Sequence, residues 1–350
     1  MQINITSSKE SRLPSIDFNN IPFGKIFTDH MFVVDYEGGQ WISPRIEPYG
    51  PIEISPALSA IHYGQSLFEG MKAHKNSDGS AYLFRPLDNW NRMNKSAERM
   101  CMPALPQDIF MEGLQTLVNM DKEWIPTHEG SALYVRPFMF ATDDCVGVRP
   151  SDNYKFMIIC CPANPFYNKA LKVLAEEHFV RAVEGGVGFA KAAGNYGASM
   201  LPTKLAHDKG FDQILWLDGR EKKYLEESGT MNLFFVADGK LYTPALAGTI
   251  LDGYTRASII QLAKDNGIEV VEARISIDDL INWSSSGKLT EGFGTGTAAT
   301  IAYFSSLTYK DKEYSLLPIE QCQISTKLAK ELNDIKSFKA EDKHGWMWKI

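Results

Sequence analysis

Short stretches of apolar residues, separated by polar turns, fill the first part of the chain and predict strands. Within residues 25–85, the apolar runs are interrupted at Gly38–Gly39 and at Ser77–Gly79, which both favour turns. Between residues 90 and 100, large apolar side chains recur at spacings of three and four. This spacing predicts a helix with one buried face, and Asp88 is placed to cap it.

Two longer apolar runs, at 132–140 and 154–162, predict further strands, and the chain then becomes rich in proline and asparagine. Such a segment between two structured parts favours a linker. With 350 residues, the chain also exceeds the size at which a single hydrophobic core stops growing. We therefore expect an N-terminal domain over 1–163, a linker over 164–172 and a C-terminal domain over 173–350.

The C-terminal part mixes strand and helix patterns. Apolar runs at 213–219 and 231–243 predict strands, and the second run contains a hairpin signal at Asp238–Gly239. A helix is predicted over 255–267, and Ser276 with an acidic residue three positions later resembles a capping arrangement for another helix. Because strands and helices do not alternate regularly, the pattern predicts the α+β class rather than a doubly wound sheet.

Composition and charge exclude several classes of protein. Lys and Arg number 36 against 43 Asp and Glu, so the net charge of −7 argues against a nucleic-acid partner. No run approaches the roughly 20 apolar residues of a membrane helix. The N-terminal residues do not form a signal-peptide pattern and the five cysteines have no CxxC spacing, so we expect a cytoplasmic protein without disulfides. The scattered histidines do not favour a metal site.

Residues 184–199 combine many glycines and alanines with a single basic side chain, Lys191. Small side chains allow the backbone to approach a flat ligand, and poor solvation favours the neutral, nucleophilic form of an amine. Lys191 is therefore a candidate for covalent bonding to a carbonyl group. The alternative is a flexible surface loop in which this lysine only adds solubility.

Glu227 immediately precedes a strongly apolar strand, and a carboxylate buried there would need a cationic partner. A protonated pyridine nitrogen would be such a partner. The alternative is a glutamate exposed in a turn, which needs no partner.

Tyr134 and Arg136 lie two positions apart on a predicted strand and therefore share one face of it. An arginine that points with a tyrosine into a pocket could bind a carboxylate. The alternative is an amphipathic strand whose arginine extends to solvent.

Two segments offer backbone amides to an anion. Thr295 and Thr297 belong to a glycine-rich turn after a short predicted strand, while Tyr254 and Thr255 begin a predicted helix. A phosphate or a carboxylate could bind at either segment. The glycines at 292–296 also resemble a dinucleotide loop, but no βαβ unit follows them.

Several motifs, in their order along the chain, resemble those of branched-chain amino acid aminotransferases, which are fold-type IV enzymes that use pyridoxal 5'-phosphate. The motifs are HYGQSLFEGMKAH (62–74), LFRP (83–86), LYVRP (133–137), the Lys191 segment ending in AGNYG (193–197), ESGTMNLFF (227–235), DGYTR (252–256) and FGTGTAA (293–299). The similarity covers nearly the whole chain and is greatest to the longer branch, which includes the animal enzymes. It implies a two-domain fold like that of D-amino acid aminotransferase, with a smaller N-terminal α/β sandwich domain and a larger C-terminal pseudo-barrel domain.

The resemblance implies roles toward the cofactor. Lys191 would bond covalently to pyridoxal 5'-phosphate and would act as general base and acid. Glu227 would face the pyridine nitrogen, and Tyr196 would bond the ring oxygen. The residues implied to bind the phosphate are Arg85, Tyr254, Thr255 and Thr297.

The implied reaction transfers the amino group of L-leucine, L-isoleucine or L-valine to 2-oxoglutarate. Arg136 would bind the γ-carboxylate of that acceptor, and the α-carboxylate would meet the amides of Thr297 and Ala298, with Thr230 nearby. Apolar walls are implied at Phe23, Tyr63, Phe68, Tyr134 and Phe166, and at Val146 and Val148 from the other subunit of a homodimer.

The chain departs from the animal members of the family in two places. The stretch GTAATIAYF (296–304) lacks their CxxC pair, and Phe166 stands where they have a pocket tyrosine. Alternative functions are a D-amino acid aminotransferase or an aminodeoxychorismate lyase of the same fold, and a non-catalytic metabolite-binding protein. A binding protein would need neither Lys191 nor Glu227.

Overall fold

The computed structural model describes residues 2–165, 167 and 169–350, which form two compact units. Unit 1 comprises the described residues of Met1–Phe166, together with Ala190–Gly194 and Ile335–Ile350. Unit 2 comprises the described residues of Tyr167–Phe189 and Asn195–Asp334. The division into domains at 164–172 stays a prediction, although by their contacts the segments 190–194 and 335–350 belong to unit 1.

Strands occur throughout the described chain. In order they are β1 (Asn4–Ile5), β2 (His30–Glu37), β3 (Gln40–Pro48), β4 (Ser66–Phe68), β5 (Met71–Lys75), β6 (Ala81–Phe84), β7 (Ala132–Ala141), β8 (Tyr154–Ala163), β9 (Leu171–Ala175), β10 (Gln213–Leu217), β11 (Leu225–Ser228), β12 (Met231–Ala237), β13 (Lys240–Pro244), β14 (Val270–Ala273), β15 (Leu289–Gly296), β16 (Thr300–Tyr309), β17 (Lys312–Ser315) and β18 (Met347–Lys349).

The helices lie between these strands. They are α1 (Ser59–Tyr63), α2 (Pro86–Arg99), α3 (Gln107–Met120), α4 (Ala193–Asp208), α5 (Tyr254–Asp265), α6 (Ile277–Ser285) and α7 (Ile324–Lys336), with short 3₁₀ turns at Leu13–Ser15, Lys122–Trp124 and Ile319–Gln321. Within the part of the chain that the structure describes, no helix is long and apolar enough to span a membrane.

Unit 1 is built on a sheet with helices packed against it. Its described strands follow the order β1–β3–β2–β8–β7–β5–β6–β18, and β4 pairs with β7. Helices α2 and α3 contribute to a core with the sheet in which Phe32, Phe110 and Phe156 are fully buried. The strands predicted over 132–140 and 154–162 are β7 and β8, so those predictions are confirmed.

The helix predicted from the apolar spacing of residues 90–100 is α2, but its predicted cap is wrong. The residue at the N-cap is Arg85, whose backbone is left-handed with a φ of 53°, and the helix begins at Pro86. Asp88 lies inside the first turn, where its carboxylate pairs with Arg85 Nε at 2.5 Å. The proline at the first helical position, which needs no N–H there, therefore sets the start of the helix.

Unit 2 contains a closed ring of strands. Six described strands follow each other as β11–β10–β9–β16–β15–β12, and a pairing between β11 and β12 closes the ring. Leu215, Leu233 and Phe235 are fully buried in the core that belongs to this sheet. The expected α+β class and the expected barrel are therefore confirmed.

Local signals in unit 2 match the structure closely. The hairpin predicted at Asp238–Gly239 joins β12 to β13, and both residues have positive φ. Ser276 and Asp279 form a reciprocal capping box at the start of α6. One local expectation is wrong: the residues at 292–296 do not form a turn but lie in β15, which pairs with β12 and β16.

Candidate active site

Lys191 lies in unit 1, two residues before the first residue of α4. Its backbone N–H donates to Ser96 Oγ at 3.0 Å, and its carbonyl accepts from the N–H of Phe68 at 3.1 Å. The Lys191 Nζ atom lies 4.9 Å from the centroid of the Phe68 ring, and the side chain is partly buried. The backbone around this amine is therefore fixed on both sides, which is inconsistent with a freely mobile surface loop.

Part of the small-residue segment around Lys191 is helical, which its composition did not indicate. Helix α4 begins at Ala193, so Tyr196 lies in its first turns. Tyr196 belongs to unit 2, where it lines a small cleft. The residues that line this cleft are Arg181, Asn195, Tyr196, Ser199, Glu227, Gly229, Thr230 and Leu251. The cleft therefore brings together Tyr196, Glu227 and Thr230, three of the predicted site residues.

Glu227 is buried in β11 and not exposed in a turn. Its side chain is only 2% exposed, and its Oε2 atom lies 3.0 Å from Nε of Arg181. Its Oε1 atom accepts a hydrogen bond of 2.6 Å from the N–H of Leu251. The ion pair and the hydrogen bond compensate the carboxylate for the loss of water, so that it can stay ionised although it is buried.

Glu226, the neighbour of Glu227 in β11, is also buried. Burial raises its pKa to about 7, although the Thr249 hydroxyl and Arg181 act in the opposite direction. Its Oε2 atom has no hydrogen-bond partner among the described residues. Successive residues of a strand point to opposite faces of the sheet, so the side chains of Glu226 and Glu227 lie in different environments.

The two predicted anion-binding segments of unit 2 approach the same strand, β12. Helix α5 begins at Tyr254 after an N-cap at Gly253, so the backbone amides of its first turn are not used by the hydrogen bonds of the helix itself. Asn232 of β12 donates to the carbonyl of Leu251 at 2.8 Å and pairs with Thr295 of β15. Thr255 is buried, and Thr297 with Ala298 follows directly after β15.

Arg85 is held at the start of α2 by the C-terminal part of unit 1. Its backbone N–H donates to the carbonyl of Trp346 at 2.8 Å, and its guanidinium lies 5.6 Å from the centroid of the Trp346 ring. The ion pair with Asp88 orients Nε, and the side chain remains mostly buried. A guanidinium oriented in this way can bind a phosphate through its terminal nitrogens.

Tyr134 and Arg136 lie on one face of β7, as their spacing predicts. Arg136 Nη2 donates to the Tyr134 hydroxyl at 2.8 Å, and the guanidinium carbon lies 4.4 Å from the centroid of the Phe68 ring. The Phe23 ring meets Tyr134 edge-on at 5.2 Å. Arg136 Nε is buried and has no hydrogen-bond partner among the described residues. This face of β7 therefore combines aromatic rings with a positively charged side chain.

Tyr63 and Val146 lie together on one chain, whereas the resemblance assigns Val146 to the other subunit. Tyr63 ends α1, and its hydroxyl donates to the carbonyl of Val146. Val146 and Val148 are 63% and 86% exposed. Their contribution to a second subunit stays a prediction, as does every other assigned role. Phe166 lies outside the described residues.

Two charged residues of the structure were not among the predicted candidates. Arg92 forms a buried, two-bond ion pair with Glu69, with both nitrogen–oxygen distances at 2.7 Å. Arg181 pairs with Glu227, from which it is separated by 46 positions along the chain. Glu69 lies within the motif HYGQSLFEGMKAH (62–74). The arginine partners of Glu69 and Glu227 are too far away along the chain for any local spacing to indicate them.

Comparison with known proteins places the chain in a family. Residues 66–307 match the model of the Amino-transferase class IV family. The chain is 49% identical to a probable branched-chain-amino-acid aminotransferase of Staphylococcus epidermidis, over 97% of this chain and 96% of that protein. It is 44% identical to branched-chain-amino-acid aminotransferase 2 of Bacillus subtilis, over 100% and 97% of the two chains.

A solved structure supports the same assignment. A branched-chain amino acid aminotransferase from T.th., complexed with N-(5'-phosphopyridoxyl)-L-glutamate, superposes with a TM-score of 0.73 at 25% identity, covering 90% of this chain and 97% of that one. The expected fold type IV is thereby confirmed. The expected similarity to the branch with animal enzymes is not borne out, because these relatives are bacterial. The chain belongs to the class IV aminotransferases, and within them to the branched-chain-amino-acid aminotransferases.

Proposed function

We propose that this protein transfers the amino group of L-leucine, L-isoleucine or L-valine to 2-oxoglutarate, with pyridoxal 5'-phosphate as its cofactor. The observation that carries the proposal is the ion-paired Glu227 carboxylate, which is buried beside a cleft that Tyr196 and Thr230 also line. Family membership supports the reaction class, and the named complex of the T.th. relative supports the cofactor.

The described residues have the chemistry that this cofactor requires. A buried carboxylate suits a protonated ring nitrogen, and a phenol suits the ring oxygen. The backbone amides at the start of α5 would suit a phosphate, and so would the guanidinium of Arg85. When it is bound, pyridoxal 5'-phosphate stabilises the negative charge that develops at the amino acid Cα.

Lys191 is proposed to move the proton in both half-reactions. Once pyridoxal 5'-phosphate is bound, the Lys191 amine would accept the proton from Cα of the amino acid as general base and return it as general acid, and the same groups would act in reverse when the oxo acid is the substrate. The hydrogen bonds to Ser96 and Phe68 fix the backbone on which the amine is carried. A fixed backbone restricts the positions that this amine can take, which favours proton transfer in one geometry.

Arg136 is proposed to let one pocket accept two kinds of side chain. The aromatic rings of Phe68 and Phe23 provide apolar walls for a branched side chain. The guanidinium of Arg136, which Tyr134 helps to orient, supplies the positive charge for the γ-carboxylate of 2-oxoglutarate. Because an apolar pocket distinguishes a single methylene by only about 1–3 kcal/mol, we expect leucine, isoleucine and valine all to be accepted.

The first experiment is an absorption spectrum of the purified protein with bound pyridoxal 5'-phosphate. We expect a visible band that falls when L-leucine is added and returns when 2-oxoglutarate follows. A response to D-leucine alone would contradict the proposed substrate and favour a D-amino acid aminotransferase. A protein that never acquires the band would instead support the non-catalytic binding protein.

The Lys191→Ala variant tests the assigned amine. It is expected to bind the cofactor without a covalent bond, to retain its fold and to lose transamination. Lys209→Ala, which changes an exposed lysine just after α4, is the matched control and should behave as the wild type. Wild-type activity in the Lys191→Ala variant would show that the assignment is wrong.

A homodimer in the cytoplasm is also part of the proposal. The exposure of Val146 and Val148 supports a role for this surface in a second subunit's pocket. Sedimentation analysis of the wild type, and of a variant with Val148→Asp, would measure the association of the two copies directly. A monomeric wild type with full activity would contradict the dimer.

A further inference from the structure

Arg181 contacts three separate parts of unit 2 with one guanidinium group. Its Nε atom pairs with Glu227 Oε2 at 3.0 Å, and its side chain is 8% exposed. Its Nη1 atom donates to the carbonyl of Thr249 at 2.8 Å, and Nη2 donates to the carbonyl of Gly188 at 3.3 Å. Arg181 thus joins β11, the segment before α5 and the glycine-rich segment before Lys191.

The glycine-rich segment and the segment before α5 are in close backbone contact at Gly188 and Thr249. A methyl group at Gly188 would lie 2.5 Å from the carbonyl oxygen of Thr249, so any larger residue would push the two segments apart. The N–H of Leu251, two residues beyond Thr249, donates to the other oxygen of Glu227. Both oxygens of the Glu227 carboxylate are therefore fixed by groups that Arg181 helps to hold.

The guanidinium of Arg181 supplies a positive charge next to two buried acidic residues of β11. Two neighbouring glutamates, Glu226 and Glu227, are buried in this strand, and Arg181 interacts electrostatically with Glu226 and forms an ion pair with Glu227. A buried carboxylate without a cation becomes protonated because the protein interior disfavours the charge. A protonated Glu227 could not stabilise a positive charge on a ring nitrogen.

We propose that Arg181 is a positioning residue for the cofactor: it keeps the Glu227 carboxylate ionised and turned toward the cleft that Tyr196 lines. This inference rests on the proposed function. Lysine could not replace Arg181 fully, since a single ammonium group lacks the rigid, planar arrangement of donors that reaches one carboxylate and two carbonyls. If Arg181 only stabilised the fold, its loss would not change cofactor affinity or kcat in a way that depends on Glu227.

The test compares Arg181→Met, Glu227→Gln and the double variant, each measured for affinity for pyridoxal 5'-phosphate, for kcat and KM with L-leucine, and for Tm. In Arg181→Met we expect the affinity and kcat to fall by about 10- to 100-fold, with KM changed by less than about threefold. The double variant should lose little more than Glu227→Gln alone, because both changes act through one carboxylate. Arg274→Met, an exposed arginine of the same unit that stacks on Tyr224, is the control and should change nothing.

If Arg181→Met does not fold, the more conservative variant Arg181→Lys can be tested in its place. Arg181→Lys should lower cofactor affinity in the wild-type background and leave it unchanged in the Glu227→Gln background. A fall in Tm with unchanged cofactor affinity and kcat would overturn the proposal, and so would losses that multiply in the double variant. If the wild type itself failed to bind pyridoxal 5'-phosphate, the proposed function would be wrong, and this inference would be wrong with it.

Discussion

Arg136 donates a 2.8 Å hydrogen bond to the hydroxyl of Tyr134, two residues earlier on the same face of β7. The bond orients the guanidinium over Phe68 and leaves its Nε without a partner among the described residues. The guanidinium is thus held in one orientation before any carboxylate binds.

Arg136→Met should therefore separate the two half-reactions. We expect kcat/KM for 2-oxoglutarate to fall by about 10- to 100-fold, the effect of losing a hydrogen bond to a charged group, while kcat/KM for L-leucine changes by less than about threefold. Stopped-flow measurement of each half-reaction gives the two values separately. Arg45→Met, which changes an arginine of the same sheet that pairs with Asp35, should leave their ratio unaltered. Equal losses in both half-reactions would contradict the assignment.

Gly70→Ala should disturb the same pair from the short connection between β4 and β5. A methyl group at Gly70 would overlap the hydroxyl of Tyr134, so the ring would have to turn away and break the bond to Arg136. We expect kcat/KM to fall by about tenfold or more for both substrates, because Tyr134 is also a proposed apolar wall. Gly50→Ala is the control, since its methyl group would meet nothing closer than the Pro48 carbonyl oxygen at 4.0 Å. Unchanged kinetics in Gly70→Ala would show that the Tyr134–Arg136 bond is dispensable.

Arg92→Met should destabilise unit 1 strongly. It would leave Glu69, which is fully buried, without its cationic partner. Breaking a buried ion pair on one side costs about 3–5 kcal/mol, whereas replacing both charges costs less. Chemical denaturation should therefore show that the double variant Arg92→Met/Glu69→Gln is more stable than Arg92→Met alone. A double variant that is less stable than the single one would argue against this explanation.

Glu226→Gln should change how stability depends on pH. Because burial raises the pKa of Glu226 from 4.5 to about 7, the folded chain retains a proton that the unfolded chain releases. The stabilising contribution of the neutral carboxyl is complete below pH 4.5 and is lost as the pH rises to about 7, a change of about 3 kcal/mol. The glutamine variant lacks this loss, so its free energy of unfolding relative to the wild type should increase across that range. Glu184→Gln, at an exposed position, is the control. Parallel pH profiles for the wild type and Glu226→Gln would contradict the raised pKa.

The features that the sequence predicts well are local ones. The hairpin at Asp238–Gly239 and the capping box at Ser276 each depend on residues within a few positions of each other. Strands β7 and β8 are apolar runs rich in aromatic and β-branched residues, a composition that favours a strand. The small residues around Lys191 also mark it as a candidate nucleophile, and that role stays a prediction.

The features that could not be predicted depend on distant parts of the chain. The glycine-rich residues of β15 resemble a turn, and they form a strand because β12 and β16 pair with them on both sides. Arg181 was not among the candidates because Glu227 reaches it only through the folding of unit 2. The left-handed backbone of Arg85 likewise accompanies a hydrogen bond to the carbonyl of Trp346, more than 200 positions away.

The placement of β18 beside β6 has a consequence for protein synthesis. Residues 335–350 belong to unit 1, and the Trp346 carbonyl accepts the N–H of Arg85. These residues leave the ribosome only after all of unit 2 has been translated. The β6 edge beside Arg85 therefore stays unpaired until the last residues of the chain have been made. The sheet of unit 1 is thus completed only after unit 2 has been synthesised, although unit 1 begins first along the chain.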